Sequence, residues 1–269
     1  VIALLRLAEV HRLSGRLPQA MNLHERALAA AGKLGDDRLE CSVCLDSGVP
    51  LAMLGRMEEA LAQFKKAESL ARRIKASSIQ VKALMNQGLC HYHGGGRYEE
   101  ALQVLRKARR LAAAHGLKPN LVSISVNLAQ VHFDLGDYRK AVEIAREGLV
   151  ISKQFGYRNL YVISLCNLAL YLTMLGQWEE ARKCGESGLS AARHYNMAYF
   201  AGISRHTLAI LDVVAGAFSI SLRAQAEAVE AHLASRACGD ALADLNEILA
   251  LANQLRAPVL AEPALGRFL

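Results

Sequence analysis

A motif that recurs about every 40 residues restricts the fold of this chain more than any other feature of its sequence. In each copy, a glycine is followed two positions later by a large apolar residue and five positions later by a small one. The glycines of successive copies are 40 or 41 residues apart, and they are Gly15, Gly55, Gly96, Gly136, Gly176 and Gly216. Repeats of this length each form one supersecondary unit that stacks on its neighbours, so the sequence predicts a repeat architecture.

The residues around each glycine have the spacing of two helices joined by a tight turn. Before Gly136, the apolar residues Leu128, Val131 and Leu135 fall on one helical face. Glycine readily adopts the left-handed conformation that ends a helix. The aromatic residue that follows four of these glycines is predicted to fill the space between neighbouring units, and these residues are Tyr98, Tyr138, Trp178 and Phe218. The predicted fold class is therefore all-α.

This pattern of glycines, small residues and aromatic residues resembles the tetratricopeptide repeat, and the resemblance covers nearly the whole chain. The usual period of that family is about 34 residues. A longer period implies longer helices, as in the long-repeat members found in kinesin light chains and in bacterial ATP-dependent transcription regulators and peptide sensors. The proline that closes the family's repeat is missing after each second helix. The resemblance implies a right-handed α-solenoid of tandem helix-turn-helix repeats, whose first helices line a concave ligand-binding face.

The motif also predicts the domain organisation. We expect six helix pairs in residues 1–238 and a degenerate or truncated seventh pair in residues 239–269, which together form one solenoid domain. The first ten residues have an apolar helical pattern without a capping residue, and the chain stops within the seventh pair. Because solenoids need capped ends, the sequence predicts a piece of a longer protein.

Composition and charge exclude several classes of protein. Apolar residues make up 52% of the chain, which excludes disorder. The net charge is +7, but the basic residues fall on second helices without interleaved aromatic residues, which disfavours nucleic acid as a partner. Six cysteines are too few for a disulfide scaffold, and no apolar stretch is long enough to span a membrane. We therefore expect reduced thiols and a cytoplasmic protein.

The sequence contains no enzyme signature such as a phosphate-binding loop or a G-x-S-x-G motif, so we predict neither catalytic residues nor a cofactor. The strongest metal-ligand pattern combines Cys41 and Cys44 with Cys90, His91 and His93. These two groups fall about 9 Å apart along their helices, whereas zinc holds its ligands within about 2.0–2.3 Å. No metal site is therefore predicted.

The candidate binding residues lie on the first helices. Three consecutive repeats carry asparagine at the same helical position, as Asn86, Asn127 and Asn167. An amide both donates and accepts hydrogen bonds, so this series could pair with the main chain of a bound segment; alternatively, each asparagine caps or staples a neighbouring helix. The other predicted partner-binding residues surround this series, and they are Lys82, Met85, Tyr92, Gln130, Phe133, Leu170 and His206.

Two functions are compatible with these residues. The first is a scaffold that binds a protein or peptide ligand on its concave face. The second is an effector-sensing regulatory arm of a larger multidomain protein, such as an ATPase or transcription regulator. The end repeats would present apolar surface, so self-association through them is a further expectation.

Overall fold

The computed structural model describes residues 1–214 and 227–235, and each regular element in that part of the chain is a helix. The helices are α1 (Ile2–Leu13), α2 (Leu17–Leu34), α3 (Asp37–Met53), α4 (Met57–Arg73), α5 (Ser77–His93), α6 (Tyr98–Ala114), α7 (Lys118–Asp134), α8 (Tyr138–Gln154), α9 (Arg158–Met174), α10 (Trp178–His194) and α11 (Ala198–Val214). Residues 227–234 are also helical. The predicted all-α class, built from tandem helix-turn-helix repeats, is confirmed.

The predicted turn glycines separate the first helix of each pair from the second. The backbone angle φ is 72° at Gly15 and 78° at Gly136, a region that residues with a side chain rarely adopt. The third turn is one residue longer than the others, and both Gly95 and Gly96 have positive φ there. The motif therefore predicts where the first helices end because the turn itself requires glycine.

The two helices of a pair approach closely where a glycine faces a large side chain. A Cβ atom added to Gly48 on α3 would lie only 2.4 Å from Cε1 of the Phe64 ring on α4. Gly88 on α5 faces Leu105 on α6 in the same way, at 2.7 Å from Cγ. Both large side chains are buried, with exposures of 2% and 0%. Small residues on the first helix thus make room for large residues on the second.

The aromatic residues after the turns do not all fill interior space as predicted. Trp178 is the first residue of α10, and its side chain is 53% exposed. The prediction is therefore wrong at that position. Tyr98 and Tyr138 are half-buried, and Phe218 lies outside the described residues. The largest fully buried side chain is instead Tyr171, which belongs to the first helix α9.

The chain divides into two compact units, Val1–Leu135 and Gly136–Leu269. Within the first unit, each helix from α1 to α7 contacts the next, and the first helices α1, α3, α5 and α7 also contact one another in series. The second helices α2, α4 and α6, all within the described residues, have no comparable contacts with one another. In the second unit, α9 contacts both α10 and α11. The first helices of a unit therefore lie closer together than its second helices.

The helices α1 to α10 correspond to the first five predicted pairs, and α11 begins the sixth. The predicted seventh pair, at residues 239–269, lies outside the described residues. That the whole chain forms one continuous solenoid domain stays a prediction.

Part of the positive charge on the second helices is neutralised by neighbouring helices. Lys66 on α4 pairs with Glu40 on α3 at 2.7 Å, and Lys107 on α6 pairs with Glu68 on α4 at the same distance. Arg73 also forms an ion pair with Asp37. These basic residues therefore pair with carboxylates of neighbouring helices rather than forming an isolated patch of positive charge.

Candidate functional site

Two accessible hollows of the first unit lie along its first helices, where the predicted binding residues are also found. We define the first-helix face as the surface around Asp46 and Val49 on α3, Asn86 on α5 and Asn127 on α7. The three helices are in contact in that order. Asn86 and Asn127 therefore lie on neighbouring helices of one unit, whereas Asn167 on α9 belongs to the second unit.

The amides of the three asparagines are available for a ligand. Each side chain is half-buried. Within the described residues, none of the side chains of Asn86, Asn127 and Asn167 forms a hydrogen bond with the protein, in contrast to nearby Gln87, which donates to the carbonyl of Phe64. An amide that is partly withdrawn from water and has no internal partner gains most from a ligand that supplies one.

An apolar hollow of about 390 Å³ lies beside Asn86. Its walls come from α3, α4 and α5 and include Val49, Met53, Met57, Phe64 and Leu89. Met53 is 55% exposed at the surface, and methionine adapts readily to the shape of a partner. The hollow can therefore take an apolar side chain while the Asn86 amide pairs with the main chain next to it.

A larger, charged hollow of about 700 Å³ adjoins the apolar one, because Val49 lines both. In this hollow, Arg12 forms an ion pair with Glu9, at 2.6 Å between the guanidinium nitrogen and the carboxylate oxygen. Arg6, Arg38 and Asp46 also line this hollow. The first-helix face thus changes from charged at α1 and α3 to apolar and amide-bearing at α5.

Two of the predicted binding residues are instead engaged with the protein itself. The Tyr92 hydroxyl on α5 donates a hydrogen bond to the Asp134 carboxylate on α7, and Gln130 donates to the same carboxylate at 3.0 Å. Burial and the nearby carboxylate raise the pKa of Tyr92, so the phenol remains a donor at neutral pH. This cluster joins α5 to α7 and positions the helices that carry Asn86 and Asn127.

Replacing Tyr92 with phenylalanine should destabilise the first unit by about 1 kcal/mol. A fully buried hydrogen bond to a charged group would contribute more to stability, but both Tyr92 and Asp134 are partly exposed. Urea denaturation followed by circular dichroism measures the change. Tyr161→Phe is the control, because the half-buried Tyr161 makes no side-chain hydrogen bond within the described residues. Equal losses in both variants would show that the bond to Asp134 contributes nothing.

The remaining predicted residues are all at least partly exposed, and they occur in both units. Lys82 on α5 is exposed, and Met85 on α5 and Phe133 on α7 are half-buried. Leu170 on α9 and His206 on α11 are half-buried on helices that contact each other in the second unit. The predicted residues are therefore divided between the two units.

The cysteines of the predicted metal-ligand pattern are buried thiols. Burial raises the pKa of Cys41, Cys44 and Cys90 to about 11, so they are protonated at neutral pH. Among the described residues, no three His, Cys, Asp or Glu side chains converge on a point where they could hold a metal ion. In the same residues, no helix has the length and apolar character required to cross a bilayer.

Three segments of the sequence match models of the tetratricopeptide repeat, at residues 3–38, 82–112 and 120–194. The chain belongs to the tetratricopeptide repeat family. The matched segments lie in both compact units, so the tetratricopeptide character is not confined to one of them. Tetratricopeptide repeats serve as all-helical scaffolds, and this chain has that architecture.

Solved structures of other tetratricopeptide-like proteins share the fold. BtubC from P. vanneervenii is 15% identical, with a TM-score of 0.71, and the match covers 82% of this chain and 92% of BtubC. A STAND protein with a tetratricopeptide repeat sensor from Pyrococcus horikoshii is 16% identical, with a TM-score of 0.69, and the match covers 98% of this chain but 43% of that one.

A Rap protein complexed with Competence and Sporulation Factor is 13% identical, with a TM-score of 0.74, and the match covers 98% of this chain and 73% of that one. No curated protein matches the sequence significantly. At these identities the likeness establishes the tetratricopeptide fold alone, and the function has to be argued from the residues of the first-helix face.

Proposed function

We propose that this chain is a non-catalytic scaffold that binds a peptide or a protein segment on its first helices. The observation that carries the proposal is the pair of amides without internal partners, Asn86 and Asn127, on neighbouring helices beside an apolar hollow. The main chain of an extended segment would pair with the amides, and one of its apolar side chains would enter the hollow.

The chemistry of this face favours a chain-like ligand over a small metabolite. A small-molecule site is usually a single enclosed pocket with a few convergent polar groups. Here two adjoining hollows of different character meet at Val49. A ligand that fills both must extend along the helices, as a peptide does. The Rap protein of similar fold that was solved in complex with Competence and Sporulation Factor supports the proposal that this fold binds a partner.

The test is a selection from a displayed library of random peptides, followed by affinity measurements on the enriched sequences. We expect the double variant Asn86→Ala, Asn127→Ala to lose about two- to tenfold in affinity for each lost hydrogen bond. Calorimetric titration with a selected peptide measures the change, and circular dichroism establishes that helix content is unchanged.

Asn22→Ala is the matched control, because Asn22 is exposed on the second helix α2. This variant should bind the selected peptides as the unaltered chain does. If the double variant retains full affinity, or if peptides from the library do not compete with one another for a single surface, the proposed site is wrong.

A regulatory sensor arm is the second candidate function. The observation in its favour is that this chain matches less than half of the STAND protein, which carries a tetratricopeptide repeat sensor. In that arrangement, the first-helix face would hold an effector or another domain of the same protein. We also propose a cytoplasmic location and, as a further contact, self-association through the end repeats.

A further inference from the structure

A third, smaller cavity lies between the second helices α2 and α4, with α3 as its floor. Its volume is about 140 Å³, close to that of an engineered cavity of about 150 Å³ that holds benzene. Its walls include the apolar side chains of Met21, Leu28 and Leu51. The cavity does not involve Asn86 or Asn127, and only His24 is shared with the charged hollow.

Two buried polar atoms without a hydrogen-bond partner belong to residues that line this cavity. They are Nδ1 of His24 on α2 and Oε1 of Gln63 on α4. The His24 side chain is only 5% exposed. Leaving such atoms unsatisfied destabilises the folded protein, so buried polar groups of this kind normally have a partner.

Both residues are polar at positions where other repeats are apolar. The position of His24 in α2 is occupied by Phe64 in α4 and by Leu105 in α6, and both of these are buried. The position of Gln63 in α4 is occupied by Leu23 in α2 and by Ile144 in α8. Apolar residues at these positions are therefore compatible with the repeat, and the polar pair is a specific feature of this cavity.

The wall of the cavity offers several hydrogen-bond acceptors, besides the donors of Arg56 and of the Gln63 amide nitrogen. The amide oxygen of Gln63 can only accept, and the Ser47 hydroxyl uses its hydrogen on the carbonyl of Cys44, at 3.2 Å. Burial lowers the pKa of His24, so its imidazole is neutral at pH 7 and retains one accepting nitrogen. Glu25 adds an exposed carboxylate that interacts electrostatically with the Arg56 guanidinium, which itself forms an ion pair with Glu59 at 2.6 Å.

We propose that this cavity binds a primary ammonium group, carried either by a small free amine or by a lysine side chain of a partner protein. The ammonium group supplies three hydrogen-bond donors, which meet Gln63, His24 and the Glu25 carboxylate. The alkyl part of the ligand packs against Met21, Leu28 and Leu51. The proposal does not depend on the first-helix face.

The experiment titrates the full chain with n-butylammonium chloride at constant ionic strength and follows amide chemical shifts by NMR. We expect saturable shifts in α2 and α4, weaker shifts with n-butanol and none with sodium butyrate. Blocked lysine (Nα-acetyl-lysine amide) distinguishes the two sources of the ammonium group. If it binds as well as n-butylammonium, a partner's lysine fits; if only the free amine binds, the ligand is a small molecule.

The variants Gln63→Leu and His24→Phe, which introduce the residues found in other repeats, should each abolish the saturable shifts while preserving helix content. Glu25→Gln should weaken n-butylammonium binding about two- to fivefold, as expected for a partly exposed charge pair, and leave n-butanol binding unchanged. Asn127→Ala should bind n-butylammonium normally, which separates this site from the proposed peptide site. Absence of saturable shifts in the unaltered chain, or unchanged binding by Gln63→Leu, would overturn the proposal.

Discussion

Replacing Phe64 with alanine is expected to destabilise the first unit by about 3–5 kcal/mol. The ring is 2% exposed and lies between α3 and α4, where it contacts Gly48 and forms a wall of the apolar hollow. Its removal would lose apolar burial and enlarge the hollow, because the backbones of the two helices cannot close the gap completely. Urea denaturation followed by far-ultraviolet circular dichroism measures the loss.

Trp178→Ala is the matched aromatic control for this variant. The sequence pattern predicts that Trp178 fills interior space, yet its side chain is 53% exposed. Its removal should therefore change the free energy of unfolding by less than about 1 kcal/mol. A loss at Trp178 as large as the loss at Phe64 would show that exposure does not explain the difference between the two positions.

Substituting alanine for Gly48 is expected to destabilise the first unit by about 1–2 kcal/mol, although alanine is the better helix former. The new Cβ atom would lie 2.4 Å from the Phe64 ring, and that ring is confined on all sides by its burial. Overpacking therefore outweighs the gain in helix propensity. The midpoint of urea denaturation should fall without a change in the slope of the transition.

Two further variants test whether the Phe64 ring causes this loss. Gly32 on α2 has no atom within 4 Å of an added Cβ, so Gly32→Ala should stabilise the unit by up to about 1 kcal/mol. In a chain that already carries Phe64→Ala, the Gly48→Ala substitution should also become stabilising. If Gly48→Ala remains destabilising without the ring, the contact with Phe64 is not the cause.

Much of the fold is predictable from the sequence because the turns repeat. Gly15 and Gly136 occupy a backbone conformation that glycine adopts far more readily than other residues, so their spacing gives the length and order of the helices. The exposure of Trp178 was not predictable in the same way. Its position matches those of Tyr98 and Tyr138, but exposure depends on how the neighbouring helices pack around the start of α10.

The candidate site was predictable only in part. The repeat period places Asn86 and Asn127 at equivalent positions, and the structure brings them onto neighbouring helices. The period does not predict that Tyr92 and Gln130 form hydrogen bonds with Asp134. The residue of the next repeat that corresponds to Tyr92 is Phe133, and Asp134 is the residue after it. His24 and Gln63 are recognisable from the sequence, because each is polar at a position that is apolar in other second helices.

The serial contacts between neighbouring helices have a consequence for folding kinetics. In the first unit, α3 contacts α1, α2, α4 and α5, and each of these is close to it in sequence. Chains dominated by such short-range contacts have a low relative contact order and cross a small entropic barrier, so they fold within about microseconds to milliseconds. Nucleation could begin at any adjacent pair of helices and spread in both directions.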